Sequence, residues 1–284
     1  MTVSGRCRML ILIPTLTAGG AERVVVNLLR HLDRNRFILA LAVVDMTGEA
    51  FLAEVPADVE VFDLNAGRVR YALPKLFSLI RRWRPDTVMC TLGHLNLALA
   101  FLMPLLPHRI RYLARETTVV SEGLKATPHA PWWARAYRWL YPRFDHVVCQ
   151  SQYMRNDLVE HFALPPQQAS VINNPIDLER VRALMTQPSP LVAAMRQRQS
   201  RPGPRGLELV AVGRLAPEKG YELLLQALSA LSDQPLHLTL VGDGPLREPL
   251  MAQAQELGLV DRVTFAGQQG NPFAALAAVD AFVL

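Results

Sequence analysis

No stretch of this chain stays apolar long enough to cross a bilayer. The most apolar, Leu92 to Leu106, carries His94, Asn96 and Pro104 and falls short of the roughly 18 residues a spanning helix needs, so it reads as a buried helix. Cysteine is scarce: Cys7, Cys90 and Cys149 are odd in number, and the last two fall in apolar, strand-like runs. That excludes a disulfide framework or cysteine metal site and points to reduced thiols in a cytoplasmic protein. No signal peptide is read at the start, because Met9 to Ile13 is short and leads into a glycine turn and an amphipathic helix. Neither an Asp-x-Asp pair nor a cluster of metal ligands is present, so no metal and no resident cofactor are expected. The strict G-x-G-x-x-G spacing is also missing, which argues against a nicotinamide enzyme. Negative charge is in deficit, with a net charge of +5, and this calls for an acidic partner. The cations are scattered and no finger, homeodomain or RNA-binding signature accompanies them, so nucleic acid is set aside in favour of anionic lipid and a nucleoside diphosphate.

What is present is a buried globular chain. Of its 284 residues, 50% are hydrophobic and only 19% charged, which suits about two domains. Apolar runs alternate with helical patterns throughout. Met9 to Ile13, Ile38 to Val44, Val59 to Leu64, Thr87 to Thr91, Ile110 to Ala114, His146 to Ser151 and Ser170 to Ile172 read as strands, and Ala21 to Leu32 sets Val24, Val25, Leu28, Leu29 and Leu32 on one helical stripe. Continuous apolar strands joined by helices imply parallel sheets covered on both faces. The stretch 187–206, rich in Pro, Gln, Arg and Ser, reads as a connection between an amino-terminal domain, 1–186, and a second, 207–284.

The chemistry concentrates where strands end. After Leu207 to Val212, the segment Gly213-Arg214-Leu215-Ala216-Pro217-Glu218-Lys219-Gly220 brings a glycine, a planar cation and a point charge to the start of a helix, a pattern suited to a diphosphate. The next apolar run, Leu236 to Val241, ends in a similar turn, Gly242-Asp243-Gly244-Pro245. Two successive strand, glycine turn and helix units describe half of a nucleotide-binding sheet. In the first half, Gly19-Gly20 lies between the first strand and first helix, where glycines allow positive backbone angles and the helix amides can receive phosphate. His94 follows the strand ending near Thr91, and Arg115-Glu116 the strand ending near Ala114, so all three belong to strand carboxyl edges. His94 and Glu116 are the candidates for work on a hydroxyl, with Arg115 as partner or phosphate clamp; a helix cap and a local ion pair are the plainer alternatives.

VGRLAPEKGYELLLQAL followed by LTLVGDGPLREPLMAQAQELGLVDRVTFAGQ resembles the donor-binding domain of family 4 retaining glycosyltransferases of the GT-B fold, and IPTLTAGGAERVVVNLLRHL resembles the opening of their acceptor domain. The resemblance is closest to bacterial members that build surface polysaccharides and lipid-linked glycans. It implies two Rossmann-like α/β domains, the second incomplete, and transfer of a sugar from a nucleoside diphosphate donor, a co-substrate, to a hydroxyl of a glycan or lipid-linked acceptor with retention. In that scheme Gly213, Arg214, Lys219, Gly19 and Gly20 face the donor diphosphate. The family's donor domain continues into a helix bearing two acidic residues that hold the sugar and ribose. This chain stops at Leu284 inside an apolar run, which leads to the expectation of self-association and of binding without turnover. A noncatalytic module holding acceptor or nucleotide is the alternative, and a nucleotide-sugar epimerase a more distant one.

Trp132 to Arg143 gathers Trp132, Trp133, Arg135, Arg138, Trp139 and Arg143 in one helical stretch. Indoles at the headgroup boundary and guanidinium groups on anionic lipid would dock it peripherally on the inner face of the plasma membrane; a domain helix with aromatics inside is the plainer reading.

Overall fold

A computed structural model of the chain describes residues 5–17, 19–47, 50–125, 127–200 and 206–283. It divides into two compact units, Met1–Ile176 and Asp177–Leu284. The division falls between 176 and 177 rather than after 186. The expected connection, 187–206, instead carries a helix at Pro190–Gln199 whose Val192 and Met195 are buried. Residues 201–205 of that stretch lie outside the described residues.

The first unit is a parallel sheet of seven strands: β1 (Cys7–Ile13), β2 (Phe37–Val43), β3 (Glu60–Asp63), β4 (Thr87–Thr91), β5 (Arg111–Arg115), β6 (His146–Cys149) and β7 (Ala169–Val171). Their order is β3-β2-β1-β4-β5-β6-β7. The helices are α1 (Gly20–His31), α2 (Val69–Trp83), α3 (Gly93–Leu102), α4 (Val120–Lys125), α5 (Ala130–Leu140) and α6 (Gln152–Phe162). Strand alternation decides which residues serve which face: Leu10 and Leu12 of β1 join the core beneath α2 and α3, while Met9, Ile11 and Ile13 join the core beneath α1. Both faces are covered, which is why the run is apolar at every position. Each such side chain contributes about 1.5 to 3 kcal/mol on burial. In α1, Val25 and Leu29 are fully buried and Leu28 and Leu32 pack at the edge, as the stripe predicts. The order of connection reverses between β1 and β4, and the loops at their carboxyl ends flank the crevice where such sheets bind ligands.

The second unit carries α7 (Leu178–Met185) and α8 (Pro190–Gln199), then β8 (Leu207–Val212), α9 (Tyr221–Ala230), β9 (Leu236–Val241), α10 (Arg247–Glu256), β10 (Val263–Gly267), α11 (Phe273–Leu276) and β11 (Ala281–Phe282). Its strands are also parallel, in the order β10-β9-β8-β11, so the reversal lies between β8 and β11. Ala211 of β8 shares one core with Leu225 of α9, Leu238 and Leu240 of β9 and Leu250 of α10, and all four leucines are essentially inaccessible. Glu208 of β8 is buried too, held by a two-pronged pair with Arg198 of α8 at 3.0 and 2.9 Å.

Candidate active site

In the second unit, the two glycine turns seen in the sequence interlock. The amide of Leu215 donates to the Asp243 carbonyl at 3.0 Å, and that of Gly213 to the Val241 carbonyl at 2.9 Å. Gly242 has φ 144°, and a Cβ there would overlap the Gly213 carbonyl oxygen; one on Gly244 would overlap the Leu215 carbonyl. These glycines therefore serve backbone packing of one loop on the next. Gly213 serves a different contact: a Cβ on it would stand 2.8 Å from the Tyr221 hydroxyl and 3.5 Å from Lys219 Cε. The Lys219 chain thus folds back toward the end of β8, and Tyr221, itself buried, braces the turn. Arg214 and Lys219 are exposed beside this rigid turn, at the reversal point of the sheet, with Lys219 one residue before the helical cap Gly220. Two cations here, next to the positive end of α9, can hold oxygens of a diphosphate.

In the first unit, Gly19 and Gly20 do not take positive backbone angles. Gly19 is extended at φ −105°, ψ 163°, and Gly20 opens α1. A Cβ on Gly19 would overlap the Glu22 carboxylate, which is buried and accepts from the Thr15 and Thr17 hydroxyls at 3.2 Å each. The amino end of α1 is thereby next to a carboxylate of the chain itself, the preferred charge at that position. Around Gly20 the space is open.

The carboxyl ends of β4 and β5 frame a pocket of about 320 Å³. Leu92, Leu97, Val120 and Leu124 line it with Trp133 and Tyr137, and the polar part is His94 with Thr117, Thr118 and Thr127. Leu92 is the cap of α3 at φ 74°, a conformation costing a non-glycine residue about 1 to 3 kcal/mol and characteristic of functional sites. His94 caps nothing; it is the second residue of α3, and burial lowers its pKa below the usual histidine range. It is therefore neutral at pH 7, able to accept a proton or a hydrogen bond.

Glu116 and Arg115 come together differently from either expectation. Arg115 is buried, and its guanidinium donates to Thr91 Oγ1 at 3.2 Å and Asn174 Oδ1 at 2.7 Å, which fixes it between β4 and the segment after β7 instead of in an ion pair with its neighbour. Glu116 is wholly inaccessible. Its Oε1 accepts from the Thr117 amide at 2.9 Å and its Oε2 from the Tyr141 hydroxyl, while Asn96 Nδ2 donates to that same hydroxyl at 3.0 Å. Burial pushes the carboxyl above its ordinary range, and the bonds from Tyr141, Thr117 and Thr118 hold it down only in part. Tyr137 packs against Tyr141 with ring centroids 4.6 Å apart, and its hydroxyl occupies the space a Cβ on Gly93 would need. Glu116 is thus behind the pocket wall, reaching it through Tyr141 and Tyr137. Sequence reasoning does not single out either tyrosine; their i, i+4 spacing is the one signal that pairs them.

The face of α5 is mixed. Trp132 and Trp139 are 74% and 71% exposed, and Arg135 is exposed. Trp133 instead lines the pocket. Arg138 and Arg143, both exposed, are anchored to the carbonyls of His161 and Ala100, the latter beside the exposed Phe101. Among the described residues no helix is long and apolar enough to cross a membrane, and no group of three or more His, Cys, Asp or Glu is placed to hold a metal ion.

Comparison with known proteins bears on the family and the fold. Residues 18–180 match the model of Glycosyltransferase Family 4, and residues 196–284 that of Glycosyl transferases group 1. An N-acetylgalactosamine-N,N'-diacetylbacillosaminyl-diphospho-undecaprenol 4-alpha-N-acetylgalactosaminyltransferase of Campylobacter jejuni is 25% identical over 96% of this chain and 72% of its own length. The lipopolysaccharide core biosynthesis glycosyltransferase LpsD of Rhizobium meliloti is 45% identical, but over only 27% of this chain and 22% of its own. Among solved structures, Anabaena HepE in complex with UDP and glucose superimposes with a TM-score of 0.76 at 20% identity, covering 98% of this chain and 73% of that one, a likeness of fold. With two parallel Rossmann-like sheets of GT-B type and a family model spanning more than half its length, the chain belongs to glycosyltransferase family 4.

Proposed function

We propose that this chain serves transfer of a sugar from a nucleoside diphosphate donor to a hydroxyl of a glycan or lipid-linked acceptor, with retention, in the making of a cell-surface polysaccharide or glycolipid. The observation that carries this reading is the interlocked pair of glycine turns that presents Arg214 and Lys219 at the sheet's reversal point. As the donor bond breaks, charge gathers on the diphosphate oxygens, and cations held in a fixed turn stabilise the transition state more than the ground state. The names of the relatives support the substrate classes: the Campylobacter enzyme acts on a diphospho-undecaprenol, and HepE was solved with UDP and glucose. In the first unit His94, neutral and at the pocket edge, is the group suited to contact an acceptor hydroxyl or donor sugar, while Arg115 and Glu116 stiffen the strand ends behind it.

Calorimetric titration with UDP tests the donor site. Replacing Arg214 or Lys219 by alanine is expected to weaken binding by about 1 to 3 kcal/mol each, roughly 5- to 150-fold, because each removes a charge-assisted contact. Unchanged affinity in both variants would sink the assignment.

We propose also that α5, together with Arg143 in the turn that follows it, docks on anionic membrane through Trp132, Trp139, Arg135, Arg138 and Arg143. Each arginine near an anionic surface contributes about 1 kcal/mol, so the triple change to glutamine should lower partitioning onto phosphatidylserine vesicles roughly 100-fold, and added salt should do the same. Flotation that ignores both anionic lipid and salt would leave α5 as a packing helix.

A further inference from the structure

We propose that the amino-terminal edge of the first unit's sheet is a docking surface for an acidic helix of a partner protein, held by Arg6, Arg36, Arg84, Arg109 and Arg111. The surface uses none of the residues assigned to sugar transfer and lies at the opposite edge of the sheet from the pocket.

The chain's positive excess belongs to the first unit, which holds 20 of the 30 lysines and arginines but only 14 of the 25 acids. The strand order lines part of it up. The Cys7 amide donates to the Arg36 carbonyl, the Asp86 amide to the Arg8 carbonyl and the Arg111 amide to the Asp86 carbonyl, so the starts of β2, β1, β4 and β5 lie side by side. Arg36, Arg6, Arg84 and Arg109 stand just before these four strands, Arg111 opens β5, and all five are exposed. With strands about 4.8 Å apart, the row is about 14 Å long.

Two observations separate this row from an ordinary solvated face. The nearby carboxylates are turned to N–H groups of the edge itself: Asp86 accepts from the Arg8 amide at 2.8 Å, Asp145 from the Tyr112 amide at 2.7 Å and Glu60 from Trp83 Nε1 at 2.8 Å. Among the described residues none of the five arginines is in an ion pair. The dipole of α2 accounts for Arg84 alone, since the other four belong to no last helical turn. The second observation is that the aromatic rings here are covered. The guanidinium of Arg8 lies 4.2 Å from the Trp83 ring centroid and that of Arg36 5.6 Å from that of Phe37. Bases would find no free ring to stack on, so nucleic acid gains charge contacts only. On the transferase reading a membrane is disfavoured as well: β4 and β5 are 5 residues each, about 17 Å, and a bilayer on this edge would hold the pocket that far from a lipid-linked acceptor.

A protein fits better. Helix α3 runs back from the end of β4 toward the start of β5, and there Phe101 and Leu105 are each 67% exposed, apolar anchors beside guanidinium groups as in protein interfaces. A helix with glutamates three and four residues apart sets its carboxylates about 5 to 6 Å from one another, close to the strand spacing, and planar guanidinium groups grip carboxylates with two parallel bonds.

Fluorescence anisotropy of a dye-labelled, alanine-based helical peptide with glutamate at i, i+4, i+7 and i+11 tests this on the whole chain. Binding is expected, weakening with added salt and lost when glutamine replaces the glutamates. The triple change Arg36→Gln, Arg109→Gln and Arg111→Gln should weaken it at least tenfold, each exposed pair contributing up to roughly fivefold. Arg68→Gln, Arg70→Gln and Arg135→Gln together remove the same charge from exposed positions elsewhere in the unit and should change binding less than twofold. An unshifted tryptophan fluorescence transition in both variants shows that the unit is folded. No binding of the glutamate peptide, or equal weakening by the two triple changes, would overturn the proposal. So would tighter binding of a single-stranded oligonucleotide of equal charge, or of phosphatidylglycerol vesicles, through the same three arginines. UDP affinity should be the same in both variants; its absence from the unaltered chain, with the peptide still bound, would strike the transferase reading and not this surface.

Discussion

Gly242→Ala is expected to destabilise the second unit by about 2 to 6 kcal/mol, the sum of a strained backbone and an overpacked contact, each worth about 1 to 3 kcal/mol. Gly242 has φ 144°, and an added Cβ would enter the Gly213 carbonyl oxygen. Because that oxygen belongs to backbone, no side chain can rotate away; the loop that carries Arg214 must shift. UDP binding should therefore fall more than tenfold even at temperatures where the unit stays folded. Gly258→Ala is the control. Its φ is 67° but nothing lies within 4 Å of the added atom, so it should cost only about 1 kcal/mol and spare binding. All four tryptophans, at 83, 132, 133 and 139, lie in the first unit, so the loss should appear in circular dichroism and leave the tryptophan fluorescence transition in place. Equal costs for Gly242→Ala and Gly258→Ala would show that the two turns do not lock.

The fold was legible because parallel strands covered on both faces are apolar at every residue. Thr87–Thr91, Leu207–Val212 and Leu236–Val241 end where the apolar runs end, and α1 keeps its stripe. The break between the units was not legible from composition. Ser189-Pro190 reads as the start of a helix once proline is taken as a first-turn residue rather than a breaker, and Asp177, whose side chain accepts from the Arg180 amide at 2.9 Å, caps the helix that opens the second unit. The candidate site was legible only as a set of strand ends, because loops at carboxyl edges follow from topology alone. How the side chains there divide between ligand and framework was not. Glycines 19, 213 and 242 look alike in a sequence, yet the first makes room for Glu22, the second for Tyr221 and the third for a carbonyl. Likewise, Trp133 and Tyr137 differ from Trp132 and Trp139 only in the side of α5 from which they project.

Tyr141→Phe is expected to cost the first unit about 2 to 4 kcal/mol, since one hydroxyl serves two buried partners: it donates to Glu116 and accepts from Asn96. Asn96 already has an unpartnered Oδ1, so the loss leaves little on its side chain but the bond to the Arg115 carbonyl. The pH dependence identifies the carboxyl. Burial raises the Glu116 pKa in the folded chain above the unfolded value of about 4.3, so between those two values the folded state holds a proton the unfolded state has lost. Stability from this group is therefore present at low pH and declines as pH rises through the raised pKa, by about 1.4 kcal/mol for every pH unit between the two values. Glu116→Gln removes that titration while keeping an oxygen acceptor. The stability of the unaltered chain relative to Glu116→Gln should thus fall as pH rises. In Tyr141→Phe it should fall further, because the donor that favoured the ionised carboxylate is gone. Urea unfolding followed by tryptophan fluorescence from pH 5 to pH 9 reads the first unit alone. Parallel stability curves for the unaltered chain and Glu116→Gln would show that Glu116 titrates as an ordinary carboxyl, and an additive double change would show that Tyr141 is not its partner.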